Sequence, residues 1–245
     1  MHPLLDQTSH RTAPLPSSPW IMLQKWHDLL FAHWAMPPEQ VRPLVPPELE
    51  LDVRDGQAWV GVIPFWMSGI RARGVPPLPG LSSSPELNVR TYVRYRGIPG
   101  VYFWSLDIAS HVAVWGARTF YHLPYFYASM SIKNTGEQLS YTCSRMEKPQ
   151  PAEFRGRYGP TSPPRQREQG SIEHFLSERY CLYTIHNGQV LRAYIHHLPW
   201  PLQDADAQIE VNTMAQATGI HLPAAKPLLH FSRDLEVLVW WPEVA

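Results

Sequence analysis

The chain has 245 residues, enough for one large domain with a sizeable core, and 26 of them are proline. Lys+Arg and Asp+Glu number 21 each, so no charged field marks the chain for nucleic acid or an anionic membrane, and neither is expected as a partner. With 17% charged and 12% aromatic residues, the composition excludes a coiled coil or a disordered chain and favours a turn-rich, mainly β fold.

Residues 1–19 carry Pro3, Pro14, Pro16 and Pro19 without an apolar period, and read as a flexible N-terminal leader before a single domain over 20–245. No apolar run resembles a signal peptide or is long enough to span a membrane. Cys143 and Cys181 are too few for a thiolate zinc site or a disulfide scaffold, and one distant pair says little about redox compartment; without an apolar run a soluble protein is expected, with the cytoplasm as the default location. Ile21–Trp34 alternates as a strand, Met36-Pro37-Pro38-Glu39 opens a short helix, and Asp55-Gly56 turns into a buried strand over Ala58–Trp66. Gly74–Pro85 has no packing period and is a loop.

Glu86–Arg96 alternates most strictly. Leu87, Val89, Thr91, Val93 and Tyr95 share one face, and Glu86, Asn88, Arg90, Tyr92, Arg94 and Arg96 the other. Gly97-Ile98-Pro99-Gly100 turns this strand into Val101–Asp107, and Ala109–Tyr121 has a helical pattern. Tyr125–Lys133 and Leu139–Arg145 form a hairpin, Glu153–Tyr158 another strand, 160–170 a mobile loop, and Ser171–Glu178 a helix. Asn187-Gly188 is a hairpin apex between Arg179–Ile185 and Gln189–His197. A mixed segment runs to Ile220, and Leu228–Trp241 reads as two short strands around Arg233-Asp234. Without βαβ alternation, the fold class is α+β, mainly β: antiparallel sheet with peripheral helices.

No nucleophile elbow, phosphate loop, dinucleotide fingerprint or zincin motif occurs. His196 and His197 are strand neighbours on opposite faces, and His174 with Glu178 reads as a solvated surface pair, so no metal and no cofactor is expected. The polar face of Glu86–Arg96 needs no function if it meets bulk water. In a closed sheet, however, Glu86, Asn88 and Arg90 would line a cavity and present donors to a ligand carboxylate or carbonyl.

Asp107–Tyr127, with its helix, Gly116-Ala117-Arg118 and then Pro124, resembles the signature of the acetoacetate decarboxylase superfamily, in which a lysine directly after the proline forms a Schiff base. From about Trp20 to Pro242 the chain is similar to the bacterial YqjF-like family, a family of unassigned activity. That resemblance is carried by Asp28–Trp34, Ala58–Val62, Glu86–Val93, Gly100–Phe103, Leu123–Tyr125 and His197–Leu202. It implies a β barrel or cone of acetoacetate decarboxylase type. Position 125 is tyrosine, and none of Lys25, Lys133, Lys148 and Lys226 stands at the matching place. The resemblance therefore implies the fold without its amine nucleophile.

In the cavity so implied, His122, Glu86 and Tyr125 are the candidate catalytic residues, His122 because its ordinary pKa lies near neutrality. Arg90, Arg118, Asn88, Tyr92, Trp104, Asp107 and Tyr127 are the candidate ligand-binding residues. Phe120, Phe126, Trp115 and Trp104 also have the character of core residues. One expectation is a lyase- or isomerase-type enzyme on a small keto or carboxylate compound, working by acid/base means without an imine. The alternatives are a non-catalytic small-molecule binding protein and an interaction protein whose own Tyr125 and Trp104 fill the barrel. The partner expected of the first two is a small anionic or carbonyl-bearing organic molecule, and exposed sheet edges could pair copies into a homo-oligomer.

Overall fold

The computed structural model describes residues 2–78, 82–136, 138–147 and 151–245; residues 79–81 of the expected loop and Lys148 lie outside them. One 13-stranded sheet dominates. Its strands are β1 (Met22–Met36), β2 (Glu50–Leu51), β3 (Ala58–Ala72), β4 (Ser84–Tyr95), β5 (Ile98–Ile108), β6 (Tyr125–Asn134), β7 (Leu139–Arg145), β8 (Ala152–Pro160), β9 (Cys181–His186), β10 (Gln189–His196), β11 (Gln203–Asn212), β12 (Leu228–Val239) and β13 (Glu243–Val244). Short helices α1 (Pro38–Val41), α2 (His111–Gly116) and α3 (Ile172–Ser177) sit between them.

Turn chemistry sets much of this register. Asp55-Gly56, Arg96-Gly97 and Asn187-Gly188 all have positive φ at both residues, the geometry of a two-residue hairpin matched to strand twist. Because Arg96 supplies the first left-handed position, Ile98, Pro99 and Gly100 belong to β5 and not to the expected four-residue turn. Ser110 caps α2 by accepting from Ala113 N, and Ser171 caps α3 by accepting from His174 N. A π-helical turn over Ala117–Tyr121 continues α2.

The sheet closes on itself twice. One circuit runs β1-β3-β4-β5-β9-β10-β12 and back to β1. The other shares β12, β1, β3, β4 and β5 but returns through β6, β7, β8 and β11. Because side chains alternate along a strand, each shared strand sends one face into each circuit. Leu87, Val89 and Val93 of β4 pack with Tyr141, Phe154, Tyr158 and Phe231 in the second circuit, which is solid. Even-numbered Val60 and Val62 of β3 join that core, whereas Ile63, Phe65 and Met67 turn to the first circuit.

Several expectations are corrected. The sheet is not wholly antiparallel, since β5 pairs in parallel with both β6 and β9. The mixed segment contains β11, in which Ala205, Ala207, Ile209 and Val211 alternate with Asp206, Gln208 and Glu210; alanine masks the period because it has little β preference. Leu228–Val239 is one strand, held across Arg233-Asp234 by β1 along most of its length. Residues 160–170 are tied down, with Arg165 and Arg167 both paired to Asp204. The leader lies across β10, where Arg11 donates to Ile195 O at 2.8 Å and His10 Nε2 is 2.9 Å from His197 O.

Candidate functional site

The first circuit surrounds a cavity of about 430 Å³. Its polar wall is the face of β4 singled out by alternation: Glu86, Asn88 and Arg90 all line it, with Tyr125 entering from the first residue of β6. Tyr125 Oη donates to Glu86 Oε2 at 2.8 Å, and Arg90 Nε donates to Asn88 Oδ1 at 2.9 Å. Opposite Arg90 on β3 is Gly61, where a Cβ would stand 3.2 Å from Arg90 Cγ and 3.1 Å from the His33 ring. The missing side chain leaves the space that the arginine stem occupies.

Arg90 is the unusual group. Among the described residues it makes no ion pair and no hydrogen bond beyond Asn88, and its guanidinium rests 5.8 Å over the Phe103 ring and 6.0 Å over Phe31. A cation held among aromatic faces without a carboxylate bears a desolvation cost that an anion would relieve. Burial likewise pushes the Glu86 carboxyl from an ordinary 4.5 to about 7, against the opposing pull of hydrogen bonds from Tyr125 and Asn88 and the charge of Arg90. Burial, followed by the adjacent Glu86 charge, holds the Tyr125 phenol well above its usual range, so it stays a donor.

Arg179, which also lines the cavity with its guanidinium 5.0 Å over the Tyr92 ring, is compensated, donating to Asp52 Oδ2 at 2.6 Å and to Phe175 O at 2.8 Å. His197 also lines the cavity; its Nδ1 is 2.7 Å from Leu198 O, which fixes the proton there and leaves Nε2 as a buried acceptor with no partner among the described residues. Burial lowers its pKa to about 3, so the ring is neutral. Among the described residues no lysine lines the cavity, and no group of three or more His, Cys, Asp or Glu side chains is placed to hold a metal ion.

The structure brings together Glu86, Asn88, Arg90 and Tyr125 and separates the other expected residues from them. His122 ends the π-helical turn with φ +53°, which turns its ring away from the cavity to stack on His186 at 3.5 Å. Arg118 is half-exposed, paired to Glu147 at 3.0 Å and bonded to Tyr125 O, and with Tyr127, stacked on His111, lines a shallow depression outside the sheet. Asp107 faces the solid circuit, held bidentately by Arg145 at 2.6 Å on both oxygens. A bulge in the β4–β5 register places Phe103 opposite Arg90, and Trp104 instead donates to Leu44 O. Tyr92 is consumed by structure, donating to Leu176 O and accepting from His33 Nε2.

Tyr125 and Trp104 do not fill the barrel. Trp115 and Phe120 are exposed and not core, and Glu178 is no solvated partner of His174: it accepts from Trp200 N at 2.9 Å and from Tyr180 Oη. Sequence reasoning missed His197 and Arg179; on β10 the period of two that carries Ile195 into the cavity continues to His197 just beyond its end, a signal present in the chain.

A family model described as an uncharacterized conserved protein, DUF2071, matches residues 23–236. The chain belongs to the DUF2071 family. It is 45% identical over 237 residues to the protein YqjF of Bacillus subtilis, covering 97% of this chain and 98% of that one. Among solved structures it is similar to the enduracididine biosynthesis enzyme MppR with HEPES buffer bound, with a TM-score of 0.68 at 11% identity over 93% of this chain and 88% of that one. MppR complexed with pyruvate gives a TM-score of 0.66 at 11% identity over 95% and 92% of the two chains. An acetoacetate decarboxylase from Legionella pneumophila gives 0.65 at 15% identity over 98% and 94%. At such identities these neighbours establish the fold alone, which is acetoacetate decarboxylase-like as expected, while the YqjF relative bears out the resemblance to that family. Where the resemblance implies a lysine after Pro124, this DUF2071 chain carries Tyr125, and that residue is bonded to Glu86 inside the cavity.

Proposed function

We propose that the chain binds a small keto or carboxylate compound in the β4 cavity and acts on it as a lyase- or isomerase-type enzyme through acid/base chemistry without an imine. The single observation that carries this reading is Arg90, a cation facing the cavity without an acidic partner among the described residues, beside a carboxyl whose pKa is raised to about 7. Arg90 receives the ligand carboxylate through its terminal nitrogens. Glu86 is then the proton carrier: near neutrality it is divided between its two forms, so it can take a proton from carbon next to a carbonyl and return it. Tyr125 orients Glu86 by donating to it, and in the absence of an amine it supplies no covalent step. MppR, the structural neighbour, is known with pyruvate bound, which supports the ligand class. Two free buried cysteines support a cytoplasmic location.

Pyruvate is the test ligand. Tryptophan fluorescence should report its binding, and Arg90→Gln should weaken it by roughly 10–100-fold, the loss of a charge-assisted hydrogen bond. Loss of the methyl proton signal of pyruvate in heavy water should follow wild-type enzyme and stop in Glu86→Gln, which still binds. Exchange no faster with wild type than in heavy water alone would leave a binding protein, exchange that persists in Glu86→Gln would remove Glu86 as the proton carrier, and a borohydride-trapped adduct on a lysine would refute the imine-free reading.

A further inference from the structure

The strand register orders the cavity along an axis. Arg90 lies opposite Gly61 and Phe103, Asn88 opposite Ile63 and Leu106, and Glu86 opposite Phe65 and Ile108. Past Glu86 the wall changes character: Met67 pairs with Ser84, and Ile70 lies beyond the end of β4. The six residue-to-residue steps from Arg90 to Ser84 span roughly 20 Å of strand, far more than a three-carbon acid. At roughly 30 Å³ for each water-sized group, pyruvate would occupy less than half of the volume.

The axis ends at α2 and its π-helical turn, where the wall is apolar and open to solvent. Val112 is 64% exposed, Phe120 49% and Trp241 51%, and all three line the cavity. Phe120 packs edge-on against Trp241, with ring centroids 6.0 Å apart, and Trp115, 62% exposed, packs edge-on against Phe120 from outside at 5.7 Å. Large apolar side chains left in water at the mouth of a largely apolar tunnel mark a surface awaiting an apolar partner.

We propose that the ligand is amphipathic: an acid whose carboxylate meets Arg90 and whose alkyl or aryl body runs along Phe65, Met67 and Ile70 to the rim formed by Val112, Phe120 and Trp241. This rests on Arg90 holding the carboxylate, as proposed above, and adds the class of body attached to it. The continuity of rim and cavity assigns the exposed patch to the same ligand and not to a separate macromolecule.

The test is a series of α-keto acids of increasing chain length, from pyruvate through α-ketobutyrate and α-ketocaproate to α-ketocaprylate, with the matching methyl ketones as carboxylate-free controls, titrated against the full chain. Affinity for the acids should rise about fourfold per added methylene, the fold-change expected for burying one such group. The double variant Phe120→Ser/Trp241→Ser, altered only at half-exposed positions, should flatten that slope for the longest acids. Pyruvate binding that depends on Arg90 with no gain from chain length would overturn the amphipathic ligand and leave the carboxylate site standing. Ketones binding as tightly as the acids, with Arg90→Gln without effect, would overturn both, as would failure of every acid to bind. A slope unchanged in the double variant would show that the rim serves another partner.

Discussion

The two circuits of the sheet share five strands, and on the two faces of those strands charge is handled in opposite ways. In the solid circuit Asp107 and Arg145 are both buried and bind each other through two 2.6 Å contacts. Among the described residues of the hollow one Arg90 pairs with no acid and Glu86 with no cation close enough to hold it ionised. A buried pair with its geometry complete has nothing left to offer a ligand, whereas a buried cation lacking its anion is a binding site in waiting. What separates a structural arginine from a ligand-binding one here is the partner, not the residue type or the depth.

The largest test of this contrast is Asp107→Ala. It leaves Arg145 unpaired in the core and should cost about 3–5 kcal/mol in a urea titration; a loss under ~1 kcal/mol would erase the distinction. Next is the pH dependence of Glu86. Its native pKa of about 7 lies above the ordinary 4.5, so the native state holds an extra proton between those values. Its contribution to stability is complete below pH 4.5, falls as pH rises through about 7, and is then smaller by about 3 kcal/mol. Glu86→Gln should remove this slope, leaving the variant more stable relative to wild type at pH 8 than at pH 4. Smallest is Arg118→Ala, which breaks a half-exposed pair with Glu147 and should change stability by less than ~1 kcal/mol and leave pyruvate affinity unaltered.

The hollow circuit was legible where the signal was a period of two. Glu86, Asn88 and Arg90 could be placed on one face from the chain alone, and closure of the sheet turned that face inward. Tyr92 obeyed the same period yet fell to a His33–Leu176 bonding arrangement that spans distant segments. His122 misled because its pKa argument was sound while its left-handed backbone, a property of the turn that ends the helix, aimed the ring elsewhere. Arg118 and Tyr127 were grouped with the site by nearness in sequence to Pro124, but parallel pairing of β5 with β6 carries only Tyr125 to the cavity. His197 shares a period of two with Ile195 that the chain displays, but the closure that brings that face to β4 joins segments far apart in sequence.

The pairing of β1 with β12 joins Met22 to Val239, and neither circuit is complete without it. The seam pairs segments 217 residues apart, so the entropy of closing that long loop is met before either compartment can shut. An architecture whose two compartments share one seam therefore stakes both interiors on a single contact of long sequence range.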